Sequence, residues 1–279
     1  MYPFLKGHGT ENDFVLLPDP DGTVHGDLDA ARVRALCDRR AGIGADGVLR
    51  VVRSAAVGAA ADGQDAEWFM DYRNADGSVS EMCGNGVRVF GRHLAQQGLV
   101  DPSGPVPVAT RAGTKVLTFA EGDVDGEITV DMGRPALLGE TKVAVEGRSW
   151  PAVHVDMGNP HAVAFLDDGA ELADVGPLTE PPAHDPEVYP AGVNVEFVVR
   201  RGPRHVAMRV HERGSGETRS CGTGACAVMV ATALADDAPR DSEYRVDLPG
   251  GTLRITWTSE DRILMTGPAV VVAEGVTAL

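Results

Sequence analysis

The sequence predicts an α+β fold of two halves, each a curved sheet around one helix. Two observations carry this. Three short segments recur in the same order at a nearly constant offset, and in each half a strand-like run leads through a polar, glycine-bearing loop into a helix opened by a cysteine. Residues 9–15 resemble 158–163, pairing Asn12 with Asn159 at an offset of 147, and 44–49 resemble 192–197 at 148. Cys83-Gly84-Asn85-Gly86 and Cys221-Gly222-Thr223-Gly224 follow at 138.

In chain order, residues 30–38 read as a helix and 48–52 as a strand. Gly42-Ile43-Gly44-Ala45-Asp46-Gly47 between them has the spacing of a dinucleotide fingerprint, but that fingerprint needs a strand before it and a helix after. The reversed context makes it a turn entering a strand. Residues 68–72 form the next strand, and 85–97 a helix with Val87, Phe90 and Leu94 on one face and Gly98 as its stop. The crossing to the second half is placed near residue 122, in a Gly- and Asp-rich stretch.

Across 205–211, Val206, Met208 and Val210 alternate with His205, Arg209 and His211, the period of a strand with one buried face. Residues 225–235 are apolar all round, which predicts a buried helix ended by Asp236-Asp237. A hairpin follows, in which Tyr244, Val246 and Leu248 meet Leu253, Ile255 and Trp257 across Pro249-Gly250-Gly251.

The chain has 279 residues, 43% of them hydrophobic, enough for one large or two ordinary cores. Its 25 Lys+Arg against 41 Asp+Glu give a net charge of −16, which opposes binding to nucleic acid or an anionic membrane and favours a small-molecule partner. The longest apolar run, 225–235, is far short of the ~20 residues of a membrane span, and residues 1–14 lack the apolar core of a leader. A soluble, cytoplasmic protein is expected. Four cysteines without C-x-x-C or H-E-x-x-H spacing predict reduced thiols and no metal site.

Cysteine is often a small buried hydrophobe, and Cys37 and Cys226 are read that way. The duplicated setting of Cys83 and Cys221 argues otherwise. A helix N-terminus lowers a thiol pKa, and its glycines let backbone N–H groups approach an anion. His161, after Gly158-Asn159-Pro160, and Glu212, at the end of the 205–211 strand, are the groups that can set which sulfur carries the proton. Arg213 is the candidate for a substrate carboxylate, since a guanidinium binds one bidentately.

Together these residues resemble the diaminopimelate epimerase family, cofactor-independent amino-acid racemases and epimerases related to proline racemase. The resemblance rests on Lys6-Gly7-His8-Gly9 with Asn12-Asp13-Phe14, Arg73-Asn74-Ala75-Asp76-Gly77-Ser78, Met82-Cys83-Gly84-Asn85-Gly86, Met157-Gly158-Asn159-Pro160-His161, Asn194-Val195, and Glu212-Arg213-Gly214-Ser215-Gly216-Glu217-Thr218 with Cys221-Gly222-Thr223-Gly224. It implies two pseudo-symmetric halves, each a mixed sheet rolled around a central helix, with the site in the cleft between them, and a homodimer. It also implies that Val270-Val271-Val272 returns to the first half, giving domains of 1–122 plus 269–279 and of 123–268.

The resemblance further implies Cys83 and Cys221 as acid/base thiols, adjusted by His161 and Glu212. Asn12, Asn74, Asn159, Asn194 and Arg213 match the contacts to the distal end of the substrate, and Gly84-Asn85 and Gly222-Thr223 those to the reacting carboxylate. One position departs. Gly47 stands where many members have Gln.

Inverting an α-carbon needs an electron sink. Pyridoxal phosphate supplies one from a lysine Schiff base, but Lys6, Lys115 and Lys142, the only lysines, lack such a setting, so no cofactor is expected. A set of five or six polar side chains exceeds what proline needs and suits LL- and meso-diaminopimelate. Proline or hydroxyproline racemisation is the nearest rival; thiol redox chemistry and non-catalytic amino-acid binding are rivals of other classes.

Overall fold

The chain folds as two units that repeat one plan, Met1–Val130 with Gly267–Leu279, and Asp131–Thr266, in a computed structural model that describes residues 1–279. The first unit holds β1 (Tyr2–Gly9), β2 (Asn12–Pro18), α1 (Ala30–Cys37), β3 (Gly47–Arg53), β4 (Trp68–Asn74), α2 (Gly84–Gln96), β5 (Val106–Ala109), β6 (Lys115–Phe119) and the start of β7 (Ile128–Gly133). The second holds β8 (Ala136–Val145), β9 (Arg148–Asp156), β10 (Pro160–Phe165), β11 (Asn194–Gly202), β12 (His205–Glu212), β13 (Gly216–Thr218), α3 (Gly222–Ala235), β14 (Glu243–Leu248), β15 (Gly251–Trp257) and β16 (Ile263–Gly267). The chain then returns to the first unit as β17 (Val270–Thr277).

In the first unit the strands run β17-β1-β2-β3-β4-β5-β6-β7, parallel only at β2·β3 and β4·β5. In the second they run β8-β9-β10-β11-β12-β14-β15-β16, parallel only at β10·β11 and β12·β14, with β13 as a short extra strand on β12. Each central helix is the crossover of the second parallel pair: α2 joins β4 to β5, and α3 joins β12 to β14. A parallel pair needs a long connection, and a helix that packs back onto its own sheet supplies it. Two mixed sheets, each rolled around one helix, are thus the fold. The units divide at 130/131 and 266/267, where the sequence reading puts 122/123 and 268/269; Leu117↔Val130 pairing ties the start of β7 to the first unit.

Both central helices are swallowed by their sheets. α3 is buried along nearly its whole length, as an all-apolar helix must be. α2 is buried from Gly84 through Ala95, a wider face than Val87, Phe90 and Leu94 predict. Arg88 and Arg92 make that possible. Arg88 Nη2 donates to Asn85 Oδ1 at 2.8 Å and its Nε to the Pro268 carbonyl at 3.3 Å, and Arg92 Nε donates to the Ala269 carbonyl at 3.0 Å. Buried cations need such acceptors. α3 starts at Gly222, three residues before the predicted start, because the Cys221 sulfur caps its first turn.

Strand register refines the repeat. Phe14 pairs with Gly47 across β2·β3, and His161 with Asn194 across β10·β11. Asn194 therefore corresponds to Gly47 rather than Asp46, at the same offset of 147 as Asn12 and Asn159. The departing glycine occupies the first-unit counterpart of a candidate contact. A Cβ at Gly47 would lie 2.6 Å from both the Tyr72 ring and the Arg73 carbonyl, so a side chain there needs both to move.

The 42–47 segment closes α1 and enters β3, as a turn. A Cβ on Gly42 would lie 2.0 Å from the Ala35 carbonyl oxygen and 2.9 Å from that of Leu36, both helix backbone. We expect Gly42→Ala to lose at least ~2 kcal/mol of stability through forced backbone movement. A urea midpoint and slope equal to the parent's would contradict this packing.

Candidate active site

Each cysteine is the N-cap of its central helix, with extended backbone, φ −139° at Cys83 and −123° at Cys221. Its sulfur takes the place of the usual serine or aspartate oxygen. Cys83 Sγ accepts from Gly86 N at 3.4 Å and Cys221 Sγ from Gly224 N at 3.4 Å. Neither is in a disulfide, Cys83 being half-buried and Cys221 buried; Cys37 and Cys226 are buried, and burial pushes the Cys37 thiol up to about 11.

Around Cys83, Asn12 is the organising side chain. Asn12 Nδ2 donates to Asp46 Oδ2 at 2.8 Å, and a carboxylate only accepts, so the other end of the amide, Oδ1, faces the thiol. It lies 3.5 Å from Cys83 Sγ and 3.3 Å from Asn85 Nδ2. Asp46 is itself held by Arg39 Nη2 at 2.7 Å, which also binds Asp13 at 2.7 Å, and Lys6 Nζ lies 2.5 Å from Asp13. Burial raises the Asp13 pKa, but Arg39 and Lys6 outweigh it and hold the carboxyl well below its usual value. The Asp46 carboxyl is pushed up, by burial first and also by the charge of Asp13, against the Asn12 hydrogen bond. Asn74, at the end of β4, pairs with Gly47 and donates to Ser78 Oγ at 3.0 Å. It meets the cluster only through its neighbour, Ala75 N donating to the Asp46 carbonyl at 3.0 Å.

Around Cys221 the side chains form a continuous polar line. Cys221 Sγ lies 3.6 Å from Thr223 Oγ1, which is 3.3 Å from Asn159 Nδ2. Asn159 Oδ1 is 3.0 Å from His161 Nε2, and His161 Nδ1 is 2.6 Å from Glu196 Oε1. His161 and Glu196 are both 0% exposed. Glu212, at the end of β12, accepts from Thr218 Oγ1 and is within hydrogen-bonding reach of Cys221. Asn194 Oδ1 accepts from Arg213 N at 2.9 Å while its Nδ2 donates to the Pro160 carbonyl at 3.1 Å. This fixes the loop that carries Arg213. The Arg213 side chain is exposed and donates to the Ala191 carbonyl at 3.4 Å.

The structure thus gathers Asn12, Cys83, Gly84 and Asn85 in the first unit and Asn159, His161, Asn194, Glu212, Arg213, Cys221, Gly222 and Thr223 in the second. The expectation of a lowered thiol pKa is corrected at Cys221. Burial pushes that thiol well up, the carboxylates of Glu212 and Glu196 push it further, and Thr223 and the Gly224 N–H pull only partly back. The cap that should favour a thiolate is outweighed by the surroundings of the sulfur. Burial likewise pushes the Glu212 carboxyl up, with Glu196 adding to it and Thr218, Cys221 and His161 opposing.

Sequence reasoning assigned no role to Glu196 or to the Lys6, Asp13, Arg39 and Asp46 network. Glu196 had a signal. It is the lone charge in an apolar run, 195–199, of a strand buried on both faces. The network was harder to read: Lys6 and Asp13 lie in one motif and form an ion pair across β1·β2, but Arg39 and Asp46 join them only once the turn after α1 is folded against those strands.

A family model described as diaminopimelate epimerase matches residues 4–138 and 153–272. The diaminopimelate epimerase of Streptomyces coelicolor is 60% identical, the alignment covering 98% of this chain and 94% of that protein. That of Rhodococcus opacus is 48% identical, covering 98% and 96%. Among solved structures, a probable proline racemase from Agrobacterium radiobacter superposes with a TM-score of 0.71 at 14% identity, covering 100% of this chain and 93% of that one. A phenazine biosynthesis protein of the PhzF family from Bacillus anthracis gives 0.70 at 16%, covering 100% and 99%. At such identities these two share the fold.

Glu212 also sets a pH dependence. Its folded pKa lies above the unfolded carboxyl value of ~4.3, so its contribution to stability is fully present below that value and is lost as pH rises through the folded pKa. Glu212→Gln, which still accepts from Thr218, should therefore raise the melting temperature above the parent's at pH 8, with the gap closing toward pH 4. A gap that is constant with pH would show that Glu212 carries no such penalty.

Proposed function

The chain belongs to the diaminopimelate epimerase family, and from that premise we propose that it interconverts LL- and meso-2,6-diaminopimelate by proton transfer between two thiols. It is an isomerase acting on a small-molecule substrate. The observation that carries the two-thiol reading is that the same atom, Sγ, caps the central helix in both units, with a polar amide system leading to it in each.

Inversion requires a base on one face of the α-carbon and an acid on the other. We assign these to Cys83 and Cys221, exchanging roles with the direction of reaction. Catalysis in one direction needs one thiolate and one thiol, so the two titrations are coupled through the substrate's charge. Cys221, held protonated in the free protein by burial and by Glu212 and Glu196, starts as the acid. We assign the exchange of that proton to Glu212, within hydrogen-bonding reach of the sulfur, and to His161 a bias on it exerted through Asn159 and Thr223.

The carbanion's charge moves onto the substrate carboxylate. The first-turn N–H groups of α2 and α3, at Gly84-Asn85 and Gly222-Thr223, suit that anion, and a preorganised donor at such a site contributes roughly 3 to 4 kcal/mol. Asn12, Asn74, Asn159, Asn194 and Arg213 are assigned to the distal amino-acid end. A closed site with so many polar groups rejects lysine or proline by leaving its own donors unpaired. No pyridoxal phosphate takes part in this scheme. No helix is long and apolar enough to cross a membrane; a cytoplasmic homodimer, without nucleic-acid or membrane partners, completes the proposal.

The test is NMR in D2O of reduced protein with LL-diaminopimelate, following α-proton loss and appearance of the meso isomer. Cys83→Ala and Cys221→Ala should each lose at least ~1,000-fold in turnover, the scale of a removed acid/base group. Either variant retaining parental epimerisation would defeat the two-thiol assignment, and α-proton exchange on L-proline but not on diaminopimelate would move the substrate to the rival class.

A further inference from the structure

We propose that Glu196 is a positioning residue of the second unit: it holds the Nδ1 proton of His161, so that Nε2 addresses Asn159 and, through Asn159 and Thr223, the sulfur of Cys221. The inference rests on the two-thiol reading above and deepens it. A carboxylate has no proton to give, so across the 2.6 Å contact His161 Nδ1 is the donor. That leaves Nε2 to face the Asn159 amide, whose Oδ1 lies 3.0 Å away.

The line beyond Nε2 can run in either direction. When Nε2 carries a proton, Asn159 accepts it at Oδ1 and donates from Nδ2 to Thr223. When Nε2 holds a lone pair, rotating the amide reverses the donors, and Thr223 is then free to accept from the thiol. Only the Nδ1 end is fixed, and Glu196 fixes it.

Three features set Glu196 apart from a packing residue. It is 0% exposed on a central strand, where a carboxylate is costly unless its partner repays it, and its only hydrogen bond is to His161; Oε2 makes none. The helix start lies close against it: a Cβ on Gly224 would come within 2.7 Å of Glu196 Oε1, so a side chain there would push the carboxylate from its place beside His161. The first unit, with the same backbone, does without the pair. At the offset of 147 its counterparts of His161 and Glu196 are Phe14 and Leu49, and a Cβ on Gly86 would meet Leu49 at 3.3 Å and Phe14 at 3.4 Å. The fold needs no charge there.

The groups facing the pair from neighbouring elements are His154 on β9, Glu212 on β12, Cys221 at the α3 cap, and Tyr189, whose hydroxyl is pushed up to about 12 by burial and by Glu196. None of them is hydrogen-bonded to His161 Nδ1. Glu196 alone sets its tautomer.

The experiment is 15N NMR of histidine-labelled full-length protein, with His161 assigned by His161→Gln, alongside steady-state kinetics of Glu196→Gln. We expect His161 of the parent to keep a protonated Nδ1 across the pH range of the folded state. Glu196→Gln, nearly isosteric, should lose that fixed tautomer and fall on the order of 100-fold in kcat with KM within about threefold. A parental His161 with its lone pair on Nδ1, or a folded Glu196→Gln with parental kcat, would overturn the proposal. Should that variant fail to fold, the parental spectrum decides alone. An inactive parent with the expected spectrum would sink the epimerase reading and leave the positioning intact.

Discussion

The sulfur of each cysteine caps the helix that crosses its own sheet, and the placement of the thiol follows from that. As an N-cap it accepts the N–H of the residue three positions on, which ties the thiol to the helix start. The helix start is in turn tied to the sheet, because α2 and α3 are the crossovers that let β4 and β5, and β12 and β14, run parallel. Thiol placement is therefore as rigid as the packing of a buried helix. A side chain on a rigid element is held more accurately than one on a loop.

On that shared frame the two units diverge in one direction. The amide beside each sulfur is common to both, Asn12 in one and Asn159 in the other, but its support differs. Asn12 is oriented by Asp46, part of a network of two carboxylates and two cations near the surface. Asn159 is oriented by an imidazole in the core. Glu212, which reaches the thiol, and His161, which is linked to it through Asn159 and Thr223, both belong to the second unit; Asn74 and Phe14 hold the matching places at the offsets of 138 and 147 in the first. The scaffold is shared, and different residues at a few inward positions give the two thiols different surroundings.

The duplicated plan was legible because the motifs that repeat are local. The strand, loop, cysteine and helix each announce themselves over a few residues, and the helix predicted at 85–97 is observed at Gly84–Gln96. What was not legible arises from contacts between distant residues. The pairing of Asn194 with His161 depends on strand register, which slips by one with no change in composition, and so the equivalence of Asn194 with Gly47 emerged only in the folded sheet. The burial of α2 on all sides depends on Pro268 and Ala269 carbonyls arriving from the far end of the chain to meet Arg88 and Arg92. The raised pKa of Cys221 reverses an expectation drawn from the helix alone, since desolvation is a property of everything packed around the sulfur.

The return of β17 to β1 has a consequence for how this molecule is made. Residues 131–266, all of the second unit, are synthesised before the strand that completes the first. On the ribosome the earlier-made unit is the later to finish: β1 presents an open edge, and Arg88 and Arg92 lack the Pro268 and Ala269 carbonyls, while a whole domain's length of chain is still emerging. An unpaired strand edge is an invitation to pair wrongly. The last ten or so residues thus act as a latch on the first hundred, and the amino-terminal unit inherits the longest exposure to misfolding in the chain.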